Sequence, residues 1–462
     1  MNPLQKTDPE FYEILQKEEE RQQTNLSMIA SENIFSPAVH EAVGSVFSHK
    51  YSEGNMGARY YEGNQFVDEM EALAVQRARK LFRLPDDWDV NVQALSGCNA
   101  NLAVYLAVLE PGDTLMAMYL PDGGHLSHGW SYEPDADKRE AGKNTPVYLG
   151  GSRKVNITSK LFRSIQYKTD PDTRVFDYDE IEKIAKKYKP KLIITGGTAY
   201  PRNIDYERMR QIADSVEALY MADIAHEAGL GAAGVVPSPV GIADIVTMTT
   251  HKTLRSGRGA IILARQDLMK KINRGVLPGL QGGPHNHNIA GICVGLGEAL
   301  RPEFALYARQ ILANAEYLAD QLVHYDFNLV SGGTDKHLVL IDLTSKPLLG
   351  KKYARALNWA GIVANYSTMP GDTRPPADPS ALRVGTPLAT TRGMKEKEMV
   401  KVASWMNEVM EVAAQWKDLE FAEFEEAVKN SPNIARVASE VRSLCQKFPL
   451  KIEAKERARA RA

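Results

Sequence analysis

Asp244-Ile-Val-Thr-Met-Thr-Thr-His-Lys-Thr-Leu-Arg-Ser-Gly-Arg-Gly259 decides the reading of this chain. Asp244 to Met248 is apolar and β-branched, which predicts a buried strand. The chain then turns polar at once through Thr249, Thr250, His251, Lys252 and Thr253. A Gly-rich turn follows, and Ala260 to Ala264 predicts a second buried strand. A lysine held between two such strands is badly placed for solvation. Burial disfavours its ammonium, lowers the pKa and makes the amine a nucleophile towards carbonyls. Taken alone, Thr-His-Lys-Thr at a strand end suits an ordinary surface lysine equally well.

Tyr220-Met-Ala-Asp-Ile-Ala-His226 weighs against that ordinary reading. It is another apolar strand, ending in the lone carboxylate of Asp223 and followed by His226. A carboxylate at a strand end, on the same side of a sheet as the lysine, can pair with the pyridinium nitrogen of pyridoxal phosphate (PLP). The lysine would carry that cofactor as a Schiff base. Two strands of this kind, in this order, are hard to explain as core packing.

Thr250-His-Lys-Thr-Leu-Arg255 and Asp223-Ile-Ala-His226 together resemble the serine hydroxymethyltransferase family of fold-type I PLP enzymes. Further matches recur from about residue 28 to residue 394. The resemblance implies an α/β fold with a mostly parallel seven-stranded-type sheet, helices on both faces and a smaller α/β C-terminal domain. The alternation of apolar strands and amphipathic helices points the same way and places the site at the carboxyl ends of the strands. The expected organisation is an N-terminal arm (1–27), a large PLP-binding domain (28–287) and a linking helix with a small domain (288–450). A polar tail (451–462) ends it, and a surface insertion interrupts the large domain at 130–149, where the family motif is broken.

Composition bounds the function. The chain has 462 residues, Lys+Arg 56 against Asp+Glu 58 and a formal charge of -2, which does not suggest nucleic acid as the main partner. No apolar run reaches membrane-spanning length, and the first residues lack the apolar core of a secretory signal. Cys98, Cys293 and Cys445 are scattered, form no metal pattern and read as free thiols. The expectation is a cytoplasmic protein without a metal site.

Local signals predict several elements. Asp8-Pro9-Glu10 is a capped helix start. Val67 to Leu84 is an amphipathic helix with Met70, Leu73, Ala74 and Leu81 on its apolar face. Asn288 to Tyr325 reads as a helical stretch, with strands at Asn328 to Val330 and Leu338 to Leu343.

The resemblance also assigns site residues. Lys252, Glu53, His125, Asp223 and Thr249 form the catalytic set, with Glu53 as the acid–base carboxylate and His125 stacked on the PLP ring. Ser96, Gly97 and Cys98 cradle the phosphate, a role that a Ser-Gly helix start can fill through free N–H groups. Thr198, His226 and His251 complete the cofactor contacts. Tyr51, Gly282 and Gly283 serve the phosphate of the neighbouring subunit, so the resemblance implies a homodimer with shared sites, or a tetramer built from such dimers. Ser31 and Arg383 hold the substrate carboxylate, a task suited to the Arg383 guanidinium. Tyr60, Tyr61, Leu120 and Ser367 line the substrate and folate side. Ser367 stands where the family carries a pterin-recognising asparagine and is too short for the same paired amide contacts. The implied reaction converts L-serine and tetrahydrofolate to glycine and 5,10-methylenetetrahydrofolate. The alternatives are a folate-independent aldolase or transaldolase acting on β-hydroxy amino acids and, from another class, a non-enzymatic binding protein.

Overall fold

The computed structural model describes residues 3–132 and 153–451. Seven strands form the central sheet: β1 (Trp88–Asn91), β2 (Thr114–Met118), β3 (Arg163–Tyr167), β4 (Leu192–Thr195), β5 (Leu219–Asp223), β6 (Ile245–Thr249) and β7 (Ala260–Arg265). Their spatial order is β1-β7-β6-β5-β4-β2-β3. Strand β7 alone runs against its neighbours, pairing antiparallel with both β6 and β1. The expected mostly parallel α/β sheet is therefore present.

The alternation of side chains explains why these strands sit in the middle. Tyr220 and Ala222 of β5 face one apolar cluster, while Met221 faces the other. Val246 and Met248 of β6 divide from Ile245 in the same way, and Ile261 and Leu263 of β7 from Ile262. Both faces are covered, so these strands read as continuous apolar runs. Each fully buried side chain of this size stabilises the fold by about 1.5–3 kcal/mol relative to exposure.

A second layer carries its own core. Its four-stranded antiparallel sheet has the order β8-β9-β11-β10, from β8 (Asn328–Leu329), β9 (Leu338–Asp342), β10 (Asn365–Ser367) and β11 (Ala381–Gly385). Leu26 and Met28 belong to this core, and Leu26-Ser27 pairs with Ile362-Val363. The junction expected at residue 28 thus lies within a segment packed on the C-terminal layer.

Helix α1 (Pro9–Thr24) begins where expected, with the Asp8 carboxylate accepting from Phe11 N. Its end is tied back by Gln23, whose amide exchanges two hydrogen bonds with the backbone of Leu450. Helix α2 (Gln65–Leu81) buries Met70, Ala74 and Leu81 but leaves Leu73 exposed. Leu73 lies seven residues from the exposed Phe66, hence on the same helix face. The single helical stretch expected at 288–325 is two helices, α4 (Asn286–Ala299) and α5 (Pro302–His324). Helix α3 (Gly97–Val108) precedes them in the chain. Pro302 cannot donate an N–H and so starts a new helix rather than continuing the old one.

The insertion expected at 130–149 lies largely outside the described residues. Ser131-Tyr132 at its near side pairs antiparallel with Arg153-Lys154. The tail from residue 452 also lies outside them.

Gly196, just past β4, has φ +119°, and a Cβ there would fall 2.1 Å from the Asp223 carbonyl oxygen. Gly196→Ala is expected to cost roughly 2–4 kcal/mol through left-handed strain and overlap. Urea unfolding checks this, and wild-type stability would contradict the close approach of the two strand ends.

Candidate active site

The ends of β5 and β6 set the site. Asp223 closes β5 and pairs in register with Thr247 of β6. Asp223 is buried, and three donors hold it: the Asn101 amide at 2.8 Å, His128 Nε2 at 3.0 Å and Ala225 N at 3.0 Å. Asn101 in turn accepts from Thr247 Oγ1 at 2.7 Å and donates to Ser127 Oγ at 2.9 Å, and Ser127 Oγ lies 2.8 Å from His125 Nδ1. Burial works to raise the Asp223 carboxyl, but the His128 hydrogen bond, the charges of His128 and His125 and the Asn101 amide outweigh it and hold it well below the usual range.

Lys252 follows β6 and is buried. Its backbone carbonyl accepts from Asn33 Nδ2 at 2.8 Å, and Asn33 Nδ2 also donates to Tyr307 Oη at 2.8 Å. Burial brings the Lys252 ammonium down to about 8. Asp223 opposes this shift, Arg383 adds to it, and Glu227 and Cys98 oppose it. A lowered lysine pKa is the direction expected from its flanking buried strands.

Ser96 caps α3, its Oγ accepting from Asn99 N. The first N–H groups of that helix, on Gly97 and Cys98, have no partner within it. A Cβ on Gly97 would fall 2.7 Å from Thr249 Cγ2, so this position needs glycine for Thr249 to approach. Thr249 Oγ1 donates to the Ala225 carbonyl at 3.2 Å. Burial lowers His251 to about 3, and its Nδ1 is buried without a hydrogen-bond partner among the described residues. Cys98 is exposed and its thiol is raised, by partial burial first and Asp223 second.

The C-terminal layer supplies the remaining cation. Arg383 on β11 is buried; its Nε donates to Asn365 Oδ1 at 3.0 Å and its Nη1 to the Thr198 carbonyl. Burial takes it down to about 10, still a cation at neutral pH. Thr198 Oγ1 donates to the Gly124 carbonyl at 3.0 Å, which joins it to the loop carrying Leu120 and His125. Ser31 follows Ala30, which lies against Gly385 at the end of the Arg383 strand. Ser367 closes β10 and turns its hydroxyl to the Thr368 carbonyl.

A second group lies apart. Tyr61 Oη donates to Glu53 Oε2 at 3.3 Å, and the Tyr51 and Tyr61 rings are 5.5 Å apart. A Cβ on Gly282 would fall 3.1 Å from Glu53 Oε1, and one on Gly283 3.1 Å from Tyr51 Cε1. Tyr51, Tyr60 and Tyr61 are exposed. Among the described residues, no hydrogen bond or ion pair joins this group to Lys252, Asp223 or Arg383.

Sequence reasoning missed His128, Asn101 and His337. His128 stood in the same Gly-Gly-His-Leu-Ser-His-Gly run as His125, and Asn101 sits one helical turn past the phosphate-cradle residues. His125, His128 and Asp223 also bring ligand atoms within 4.8 Å of one another, a spacing a metal ion would accept. The Asn101 donor on the same Asp223 oxygen that His128 approaches, and Ser127 on His125, give those atoms hydrogen-bond work instead.

The residues present fit PLP. A helix start suits its phosphate, a held carboxylate suits its ring nitrogen, and a lysine with lowered pKa suits its aldehyde. No helix among the described residues is long and apolar enough to cross a membrane. The family model described as serine hydroxymethyltransferase matches residues 4–406. The chain is similar to proteins named serine hydroxymethyltransferase from Acidothermus cellulolyticus (48% identical over 96% of each chain) and Sorangium cellulosum (48%, 97% of this chain and 96% of the relative). A third, from Alkalilimnicola ehrlichii, is 47% identical over 96% of each chain.

Two pH dependences follow from the site. The uncharged Lys252 amine is the reactive form, so PLP uptake by cofactor-free protein should rise about tenfold per pH unit below pH 8 and level off above it. Stopped-flow absorbance measures this, and an inflection near the ordinary lysine value of 10.5 would contradict it. Burial also keeps His226 and His337 neutral, with folded pKa values well below 6.5. The unfolded chain then binds more protons below about pH 6.5, so stability should be full above that pH and fall as acid is added. Urea midpoints that stay flat from pH 7 to 5 would contradict it.

Proposed function

The chain belongs to the serine hydroxymethyltransferase family, and from that premise we propose how its residues divide the work. The activity is the reversible conversion of L-serine and tetrahydrofolate to glycine and 5,10-methylenetetrahydrofolate. Neither the folate-independent aldolase nor the binding protein is favoured beside relatives of one name over nearly the whole length.

One observation carries the residue-level reading: a buried lysine with lowered pKa lies within electrostatic reach of a buried carboxylate fixed by three donors. Lys252 would hold PLP through Nζ, and Ser96, Gly97, Cys98 and His251 would hold its phosphate. PLP, when bound, supplies an electron sink for the charge left at the substrate carbon. Asp223 would keep a proton on the pyridine nitrogen because its own carboxyl resists protonation, and His125, held by Ser127, would lie against the ring. Thr198, Thr249 and His226 would line the remaining edge. Arg383 binds the amino-acid carboxylate, with Ser31 beside it. A guanidinium at about 10 remains charged through the physiological range and needs an anion to relieve its burial.

Glu53 moves the proton at the serine hydroxyl, from a second copy of the chain. The exposure of Tyr51, Tyr60 and Tyr61, and the grouping of Gly282 and Gly283 with Tyr51 and Glu53, support a homodimer in which this group completes the partner's site. The exposed Phe66, Leu73 and Val46, with Phe11 and Ile14 on the arm, are apolar surface that such a dimer would cover. Tyr60, Tyr61, Leu120 and Ser367 take the folate side. Free thiols at Cys98, Cys293 and Cys445 suit the cytoplasm.

Serine turnover with and without tetrahydrofolate tests the activity. Strong dependence on folate is expected, and turnover indifferent to it would favour the aldolase. Site sharing is tested by mixing inactive Lys252→Ala and inactive Tyr51→Phe chains. Random exchange should restore about a quarter of wild-type activity, since half the dimers are hybrids with one intact site. No recovery from demonstrably exchanged subunits would count against sharing. Ser367→Asn should tighten folate binding severalfold, because an amide adds donors and an acceptor that serine lacks. Calorimetric titration checks this, and an unchanged or weaker affinity would remove Ser367 from the pterin pocket.

A further inference from the structure

The seam between the central sheet and the C-terminal layer contains a buried ion pair that the chemistry above does not use. Lys336 Nζ lies 3.1 Å from Glu227 Oε1, with side chains 5% and 4% exposed. Each partner adjoins a buried histidine. His226 Nδ1 and His337 Nε2 are 3.2 Å apart, and their rings stack with centroids 5.4 Å apart and planes 20° apart.

The two ends of this contact lead into the two halves of the site. His226 and Glu227 lie three and four residues past Asp223, which ends β5. His337 immediately precedes β9, whose Leu340 pairs with Arg383 of β11. The His337 carbonyl also accepts from Thr386 N at 3.0 Å, just past that strand. The Glu227–Lys336 pair therefore spans the gap between the Asp223–Lys252 pocket and the strand pair carrying Arg383. Another ion pair across the seam, Arg202–Asp335 at 2.7 Å, is 28% and 36% exposed and correspondingly weakened by solvent. The seam pair also reaches the pocket electrostatically: the Glu227 charge favours the Lys252 ammonium, while Arg383 disfavours it.

Apolar residues of similar volume would fill such a seam at least as stably as two desolvated charges. What charges add is orientation, since each one left alone would be uncompensated in a medium of low dielectric. We propose that Glu227 and Lys336 are positioning residues for the amino-acid substrate: they fix the His226–His337 contact, and through it the distance from the Arg383 guanidinium to the Lys252 pocket. The proposal rests on the reading of Arg383 as carboxylate anchor and Lys252 as cofactor carrier.

The test compares Glu227→Gln, Lys336→Met and the double variant Glu227→Met/Lys336→Met as PLP-loaded enzymes, reading PLP content, Tm, serine KM and kcat. The single variants should lose Tm and raise serine KM about tenfold, with kcat per loaded site changed less than about threefold. The double variant should recover Tm, because no charge is left unpaired, yet keep the raised KM. A wild-type KM in the double variant would overturn the proposal and leave the pair as replaceable packing. Should the single variants fail to fold, the double variant decides. Should it fail too, Glu227→Asp decides, since it keeps both charges but widens their separation: a raised KM supports the proposal and a wild-type KM overturns it. Wild-type protein that takes up no PLP would instead overturn the Lys252 reading, which separates the two failures.

Discussion

Everything in this molecule is arranged around an electrostatic constraint at the carboxyl ends of two strands. Asp223 and Lys252 are both buried, yet they are managed in opposite ways. Asp223 is surrounded by donors and stays ionised, whereas the Lys252 side chain is left to burial and drops towards its reactive form. A carboxylate stripped of water is costly unless its lone pairs are filled, which is why Asn101, His128 and the Ala225 N–H converge on it. Those groups come from helix α3, the Gly-Gly-His loop and the turn after β5. The fold must bring all three to one point before the lysine can be used.

The sheet makes that convergence possible. Parallel strands end on the same edge, and the register that sets Asp223 beside Thr247 also delivers Lys252, five residues further on, to that edge. Glycines permit the close approaches: Gly196 beneath the Asp223 carbonyl and Gly97 beneath the Thr249 methyl. The C-terminal layer then closes over the edge with Arg383. The loop carrying Tyr51 and Glu53 is fixed elsewhere, by the buried Arg59 held on Asp68 and Glu71 and by Ser52 on Asn286. It is thus rigidly built while exposing its tyrosines.

Much of this was legible in the sequence because its causes are local. Apolar runs bounded by polar turns marked β4 to β7, and a lone carboxylate and a lone lysine at strand ends marked the site. The cap at Asp8 and the strand–helix alternation were equally direct. What was not legible depends on which surfaces meet. Leu73 has the right spacing for a buried face but points outward, because burial also depends on what lies opposite. Asn101 and His128 carry no local mark of their role, which exists only once Asp223 is beside them. The pairing of Glu227 with Lys336 joins residues more than a hundred positions apart. The break at Pro302 could have been read from the proline itself.

The central claim is that Lys252 carries the cofactor because, of the two buried lysines among the described residues, it is the one whose amine is left without a fixed counter-ion. Lys336 is the informative rival, being buried as well but paired with Glu227. Reductive fixation of PLP on the native protein, followed by peptide mass spectrometry, tests the claim most directly. The account predicts one modified peptide, labelled at Lys252. Label at Lys336, or spread over surface lysines with Lys252 unmodified, would contradict it.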